Sequence, residues 1–163
     1  MKERVVLGID PGYDRCGWAV IHSSGNAHKV LAADCFTSSK KLEKKERFRL
    51  LWEFFTKLIV EYKVEEIAIE TLFFSRNVST ALPVSEVRGM FFALSFLHAL
   101  TLDEYTPQQV KLAVTGYGKA DKSQVTSMVV RLLRLENIPK IDDTGDAFAV
   151  ALTHLAHSRQ RLL

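Results

Sequence analysis

Val5-Val6-Leu7-Gly8-Ile9-Asp10-Pro11-Gly12, followed after Tyr13-Asp14-Arg15 by Cys16-Gly17-Trp18-Ala19-Val20-Ile21, is the stretch from which the fold is read. Two short runs rich in β-branched residues flank a tight Pro-Gly turn, the pattern of paired strands. A third run over residues 28–37 (HKVLAADCFT) follows the turn formers Ser23-Ser24-Gly25-Asn26. Strands are therefore expected over residues 3–10, 16–23 and 28–37, as an antiparallel meander. Asp10 falls at the C-terminal end of the first strand, where open α/β sheets place their sites. Asp-Pro-Gly is also an excellent turn former, and Asp10 taken alone reads first as turn chemistry.

Outward from the meander the period changes. Phe48, Leu51, Phe55, Leu58 or Ile59 and Tyr62 recur at three and four, which predicts an amphipathic helix from about Glu43. Residues 65–72 (EEIAIETL) return to strand character. A strand reached through a helix is most simply parallel to the first, which brings Asp10 and Glu70 together. Glu70 interrupts an apolar run, and a carboxylate there is costly unless paired, metal-bound or turned to solvent on an edge strand. Residues 78–100 read as a helix apolar on more than one face, with Pro83 in its first turn and a start near Thr80 to Leu82. A short strand over 102–105 precedes a helix capped by Thr106 and closed by Gly116. Asp121 caps the next helix, and a last one runs from about Asp142 to Arg159. The order is βββαβαβααα, which predicts one α/β domain over residues 1–163 with a mixed five-stranded sheet flanked by helices.

Composition sets the outer limits. The chain has 163 residues, of which 47% are hydrophobic and 25% charged, as in an ordinary globular domain. No stretch approaches the ~20 apolar residues of a membrane span, so no membrane association is expected. Cys16 and Cys35 read as reduced thiols on neighbouring strands, close enough to touch, and the first residues lead into a strand rather than a leader; a cytoplasmic setting is expected. The net charge, 22 − 19 = +3, is compatible with nucleic acid without establishing it. The run over residues 40–49 (KKLEKKERFR) carries six positive and two negative charges and reads as the solvated start of a helix, with DNA contact as the second reading.

Asp142-Asp143-Thr144-Gly145-Asp146 opens the last helix, where carboxylates suit the free N–H groups and the dipole. Asp143 and Asp146 are three apart and share one side; Asp142 points elsewhere, as a pure cap. Ala147 and Ala151 would pack this helix onto the domain. If its acidic start reaches the sheet rim, Asp10, Glu70, Asp143 and Asp146 gather hard oxygen ligands with no His/Cys cluster, a set for Mg²⁺ or Mn²⁺ rather than zinc. Such crowding raises at least one carboxylate pKa when no metal is bound. Two ions ~4 Å apart at such a set serve in-line displacement at a phosphodiester.

Gly8-Ile9-Asp10-Pro11-Gly12, Ile69-Glu70-Thr71-Leu72-Phe73-Phe74, Gln109-Val110-Lys111, Lys122-Ser123-Gln124-Val125 and Asp143-Thr144-Gly145-Asp146-Ala147, in this order and spacing, resemble the RuvC family of Holliday junction resolvases. The resemblance spans Val5 to about His154. It implies an RNase H-like fold and a crossover junction endonuclease of DNA recombination and repair. It further implies paired symmetric nicks leaving 5′-phosphate and 3′-hydroxyl ends. By matching position, Asp10, Glu70, Asp143 and Asp146 resemble the metal-binding catalytic acids, with Mg²⁺ implied, replaceable by Mn²⁺, at two ions per site. Lys122 resembles the active-site lysine and Lys111 a second basic residue holding DNA; Lys119 is grouped with them. Phe73 resembles a residue that stacks on an unpaired base, with Arg76 on phosphate, while Phe74 fits either stacking or core packing. The implied partners are a four-way DNA junction, a second copy of the chain in a homodimer through the helix over residues 80–100, and a branch-migration complex.

Departures are Ser85-Glu86-Val87-Arg88-Gly89 and Pro83 in the long helix, which bear on DNA contact and the dimer face. His154 reads as structural. The rivals are the phosphate loop of actin-like ATPases and sugar kinases, for which one domain is too short, a junction-binding module without catalysis, and an RNase H-like nuclease for another branched substrate.

Overall fold

The computed structural model describes residues 3–71, 78–136 and 142–160. Its elements are β1 (Glu3–Asp10), β2 (Arg15–Ser24), β3 (Ala27–Thr37), α1 (Lys44–Tyr62), β4 (Glu66–Glu70), α2 (Val78–Leu97), β5 (Thr101–Tyr105), α3 (Pro107–Thr115), α4 (Lys122–Leu133) and α5 (Asp142–Gln160). The strands form one sheet in the order β3-β2-β1-β4-β5. β1 and β2, and β2 and β3, pair antiparallel; β1 and β4, and β4 and β5, pair parallel. This is the mixed five-stranded α/β arrangement the element order predicts.

Alternation along the strands sorts two cores onto two faces. Leu7, Ile9, Cys16, Trp18, Val20, Ile67 and Ile69 pack beneath α1 and α2 with Leu51, Phe55, Phe91 and Leu94. Val6, Ala19, Ile21 and Ala68 lie on the other face, under Ala147, Phe148, Ala151 and Leu155 of α5 and with α3 and α4 beside it. Cys16 belongs to the first face, whereas Cys35 reaches Asp143 on the second. The two thiols, which neighbouring strands could have brought into contact, therefore point to opposite faces of the sheet, and both are free.

Glycine brings α5 close. A Cβ on Gly8 would lie 2.3 Å from the Ala147 carbonyl oxygen and 2.7 Å from the Ala151 Cβ. One on Gly17 would lie 2.1 Å from the carbonyl oxygen of Asp143. The helix thus rests backbone to backbone on β1 and β2, with its first turn over Gly17, the register partner of Asp10.

Two further expectations need correction. Helix α2 starts at Val78, so Pro83 lies inside it rather than in the first turn. Its ring and missing N–H affect one early intrahelical bond, and the burial of Val87, Met90, Phe91 and Leu94 offsets that loss. The start of α1 is not wholly solvated either: Arg47 is 6% exposed. It donates to Ser38 Oγ at 2.7 Å, the Tyr13 carbonyl oxygen at 3.2 Å and Asp14 Oδ1 at 2.7 Å. Its guanidinium also sits 4.0 Å from the Tyr13 ring centroid. One side chain of α1 thereby clasps the β1–β2 loop that follows Asp10.

Candidate active site

Each acid reaches the rim by a separate route. Asp10 ends β1, and Glu70 ends β4 one residue past the Ile9–Ile69 register pair. β4 lies between β1 and β5, which removes the edge-strand reading of Glu70. Ala68, two residues earlier on the same face, is buried under α5. The Thr71 amide donates to the Tyr105 carbonyl oxygen at 2.8 Å and extends the ladder just beyond Glu70. Asp143 and Asp146 enter on the first turns of α5, held over β2 by Gly17.

Their electrostatics are those of a crowded carboxylate rim. Burial first, then the charges of Glu70, Asp146 and Asp143, push the Asp10 carboxyl up to about 7 against the opposing pull of Lys122. Burial and the charge of Asp146 likewise push Glu70 up to about 7, opposed by Lys122 and Lys111. The expected rise in a carboxylate pKa is therefore present at two positions. Lys122, the first residue of α4, extends its Nζ to Asp146 Oδ2 at 2.9 Å. That ion pair accounts for a cation at a helix start, where the dipole disfavours it. Asp121 caps the same helix, accepting from the Gln124 amide in a reciprocal capping box, and so fixes the base of the lysine.

Arg15, the first residue of β2, donates from Nε to Asp143 Oδ2 at 2.5 Å. The same oxygen accepts from Cys35 Sγ at 3.4 Å. Burial, reinforced by Asp143, pushes the Cys35 thiol up to about 11, so it remains a neutral donor. Neither contact is visible along the sequence. Arg15 reads there as part of a turn, and only the pairing of Gly17 with Cys35 and the seating of α5 on Gly17 bring the three residues together.

Lys111 lies half-buried on α3, and Lys119 is exposed in the turn before α4. Phe73, Phe74 and Arg76 lie outside the described residues, as does the side chain of Asp142. His154 is buried on α5, with Nε2 2.5 Å from Glu66 Oε2 and Nδ1 3.0 Å from the Tyr105 hydroxyl, an internal tie between α5 and the sheet.

The donor set suits a hard divalent cation: all oxygen, crowded, and relieved of mutual repulsion by added positive charge. Among the described residues no three His, Cys, Asp or Glu already stand as a closed metal-holding cluster. Asp143 and Asp146 instead each face a side-chain cation.

Comparison with known proteins gives a consistent result. A family profile described as Crossover junction endodeoxyribonuclease RuvC matches residues 6–154. The chain is 44% identical over 154 residues to the crossover junction endodeoxyribonuclease RuvC of Alkaliphilus oremlandii, covering 94% of this chain and 93% of that one. It resembles Thermus thermophilus RuvC in complex with Holliday junction substrate, with a TM-score of 0.92 and 30% identity over 97% of this chain and 96% of that one. A fowlpox virus resolvase bound to Holliday junction DNA shares the fold at a TM-score of 0.64 and 14% identity, over 94% of this chain and 99% of that one.

Proposed function

Because this chain belongs to the RuvC family of crossover junction endodeoxyribonucleases, we propose that it is a structure-selective endonuclease that resolves Holliday junctions. The observation that carries this reading onto its own residues is the meeting of Asp10 and Glu70 at the ends of adjacent parallel strands, beneath the acidic first turn of α5. Asp10, Glu70, Asp143 and Asp146 are the residues to hold divalent cations, Mg²⁺ with Mn²⁺ as substitute, at two ions per site. Bound there, such ions supply positive charge to a phosphodiester and make water a better nucleophile.

The protein's own contribution is position and charge. Glycine packing fixes the acidic turn against Asp10, and the Arg47 clasp holds the following loop. Lys122 carries an ammonium at the rim where negative charge builds on the scissile phosphate. Lys111 and Lys119 add phosphate contacts whose strength falls with salt. Phe73 is the residue to stack on a base unpaired at the crossover, with Arg76 on phosphate and Phe74 in either stacking or core packing. The chain works as a two-fold dimer, presenting two rims to two strands and leaving 5′-phosphate and 3′-hydroxyl ends. A branch-migration complex is the natural supplier of its substrate.

The test is cleavage of a synthetic mobile four-way junction with Mg²⁺ or EDTA, beside linear duplex and the Asp10→Asn protein. Paired symmetric nicks, with metal only and from the parent only, are expected, with Asp10→Asn still binding the junction. Retained cutting by Asp10→Asn overturns the site, tight binding without cuts points to a binding module, and indiscriminate cutting points to a broader nuclease.

A further inference from the structure

We propose that Arg15 is a displaceable counter-ion: it holds Asp143 while the acidic rim lacks a divalent cation, and turns to a DNA phosphate when the cation takes that carboxylate. The inference rests on reading the rim as a cation-dependent nuclease site. Its basis is the contact of Arg15 Nε with Asp143 Oδ2 at 2.5 Å, made by a side chain 56% exposed. The lone pairs that accept this guanidinium, and the Cys35 thiol beside it, are those a divalent cation needs. Two positive charges on one carboxylate oxygen repel, so entry of the ion drives the side chain off.

Arg15 and Arg47 differ in kind. Arg47 has a 7% exposed side chain fixed among Tyr13, Asp14 and Ser38, and acts as a brace. Arg15 lies on the surface, and its ion pair is with an acid of the rim, so leaving Asp143 removes no internal support. Lys122 repeats the arrangement on Asp146, with side-chain exposures of 51% and 34%. Without a divalent cation the rim is partly neutralised by the protein's own cations. With one bound, those cations face outward beside the acids, where the scissile phosphate must lie. A guanidinium offers phosphate a planar two-point fork that an ammonium lacks. Cation and DNA therefore reinforce each other's binding, through Arg15.

The experiment is a calorimetric titration of the DNA-free protein with Mn²⁺, run for the parent, Arg15→Gln and Arg15→Lys, together with junction cleavage at saturating Mn²⁺. Arg15→Gln is expected to bind Mn²⁺ about fivefold or more tightly than the parent, the low end of coupling between sites. In cleavage its KM for the junction rises while kcat changes less, and Arg15→Lys recovers part of both effects. Unchanged or weaker Mn²⁺ binding by Arg15→Gln, or an unchanged KM, overturns this inference alone. Failure of the parent to bind Mn²⁺ or to cut overturns the nuclease reading as well.

Discussion

At the scale of single residues, Asp10 and Glu70 are carboxylates kept where their charge is unfavourable. Both carboxyls sit near 7 in the fold, against ordinary values of 3.8 and 4.5. A raised folded-state pKa contributes stability that is fully present below the unfolded value and is lost as pH rises through the folded one. The metal-free protein is thus expected to lose stability from about pH 4 to about pH 7. Asp10→Asn removes a share on the order of 2 kcal/mol. At pH 8 without metal it should melt about 4–8 °C above the parent, and at pH 4 the two should coincide. Added Mg²⁺ should raise the parent's melting temperature and not the variant's. Calorimetric scans at the two pH values, with Mg²⁺ and with EDTA, check this; a variant that melts no higher at pH 8 contradicts it.

At the scale of elements, the decisive packing is that of α5 on β1 and β2. Gly17→Ala places a methyl group against the Asp143 carbonyl oxygen, backbone that cannot yield without shifting the helix. A cost of about 2–3 kcal/mol and a drop in cleavage larger than the stability loss explains are expected, measured by denaturant unfolding and by junction cutting. Gly8→Ala should destabilise similarly while acting further from the acids, against Ala147 and Ala151. The elements themselves were largely legible: the meander, the parallel return to β4 and the caps at Thr106 and Asp121 follow from local chemistry. Arg47 was legible in principle, since it stands one turn before Leu51 and two before Phe55 on the buried stripe of α1. Its charge hid it, because an arginine in a basic run looks solvated until Asp14 and Tyr13 are placed beside it. The partners of Asp143 were not legible, because they depend on which strand the last helix crosses.

At the scale of the whole molecule, α2 presents an uncovered outer face. Val87, Met90, Phe91 and Leu94 are buried inward, while Leu82, Phe92 and Phe96 are 68%, 44% and 91% exposed. With Ser85 and Gly89 the outer positions recur at three and four, and a Cβ on Gly89 would meet nothing within 4 Å. This agrees with the proposed dimer face and leaves room for a second helix to approach. Phe96→Asp should shift the protein from dimer to monomer in sedimentation and turn paired nicks into unpaired ones, at unchanged monomer stability. An unchanged sedimentation coefficient places the interface elsewhere. Among the described residues no helix is long and apolar enough to cross a membrane.

The seating of α5 on two glycines also bears on the order in which the acidic rim is assembled. Residues 10 and 70 meet as soon as the sheet forms, but half of the acidic rim arrives only with the helix that begins at Asp142. If the proposed site is the working one, a chain that has formed the sheet without docking this helix lacks two of the four acids and is expected to leave the junction uncut. Recovery of junction cleavage during refolding is then expected to follow the docking of α5 rather than the formation of the sheet.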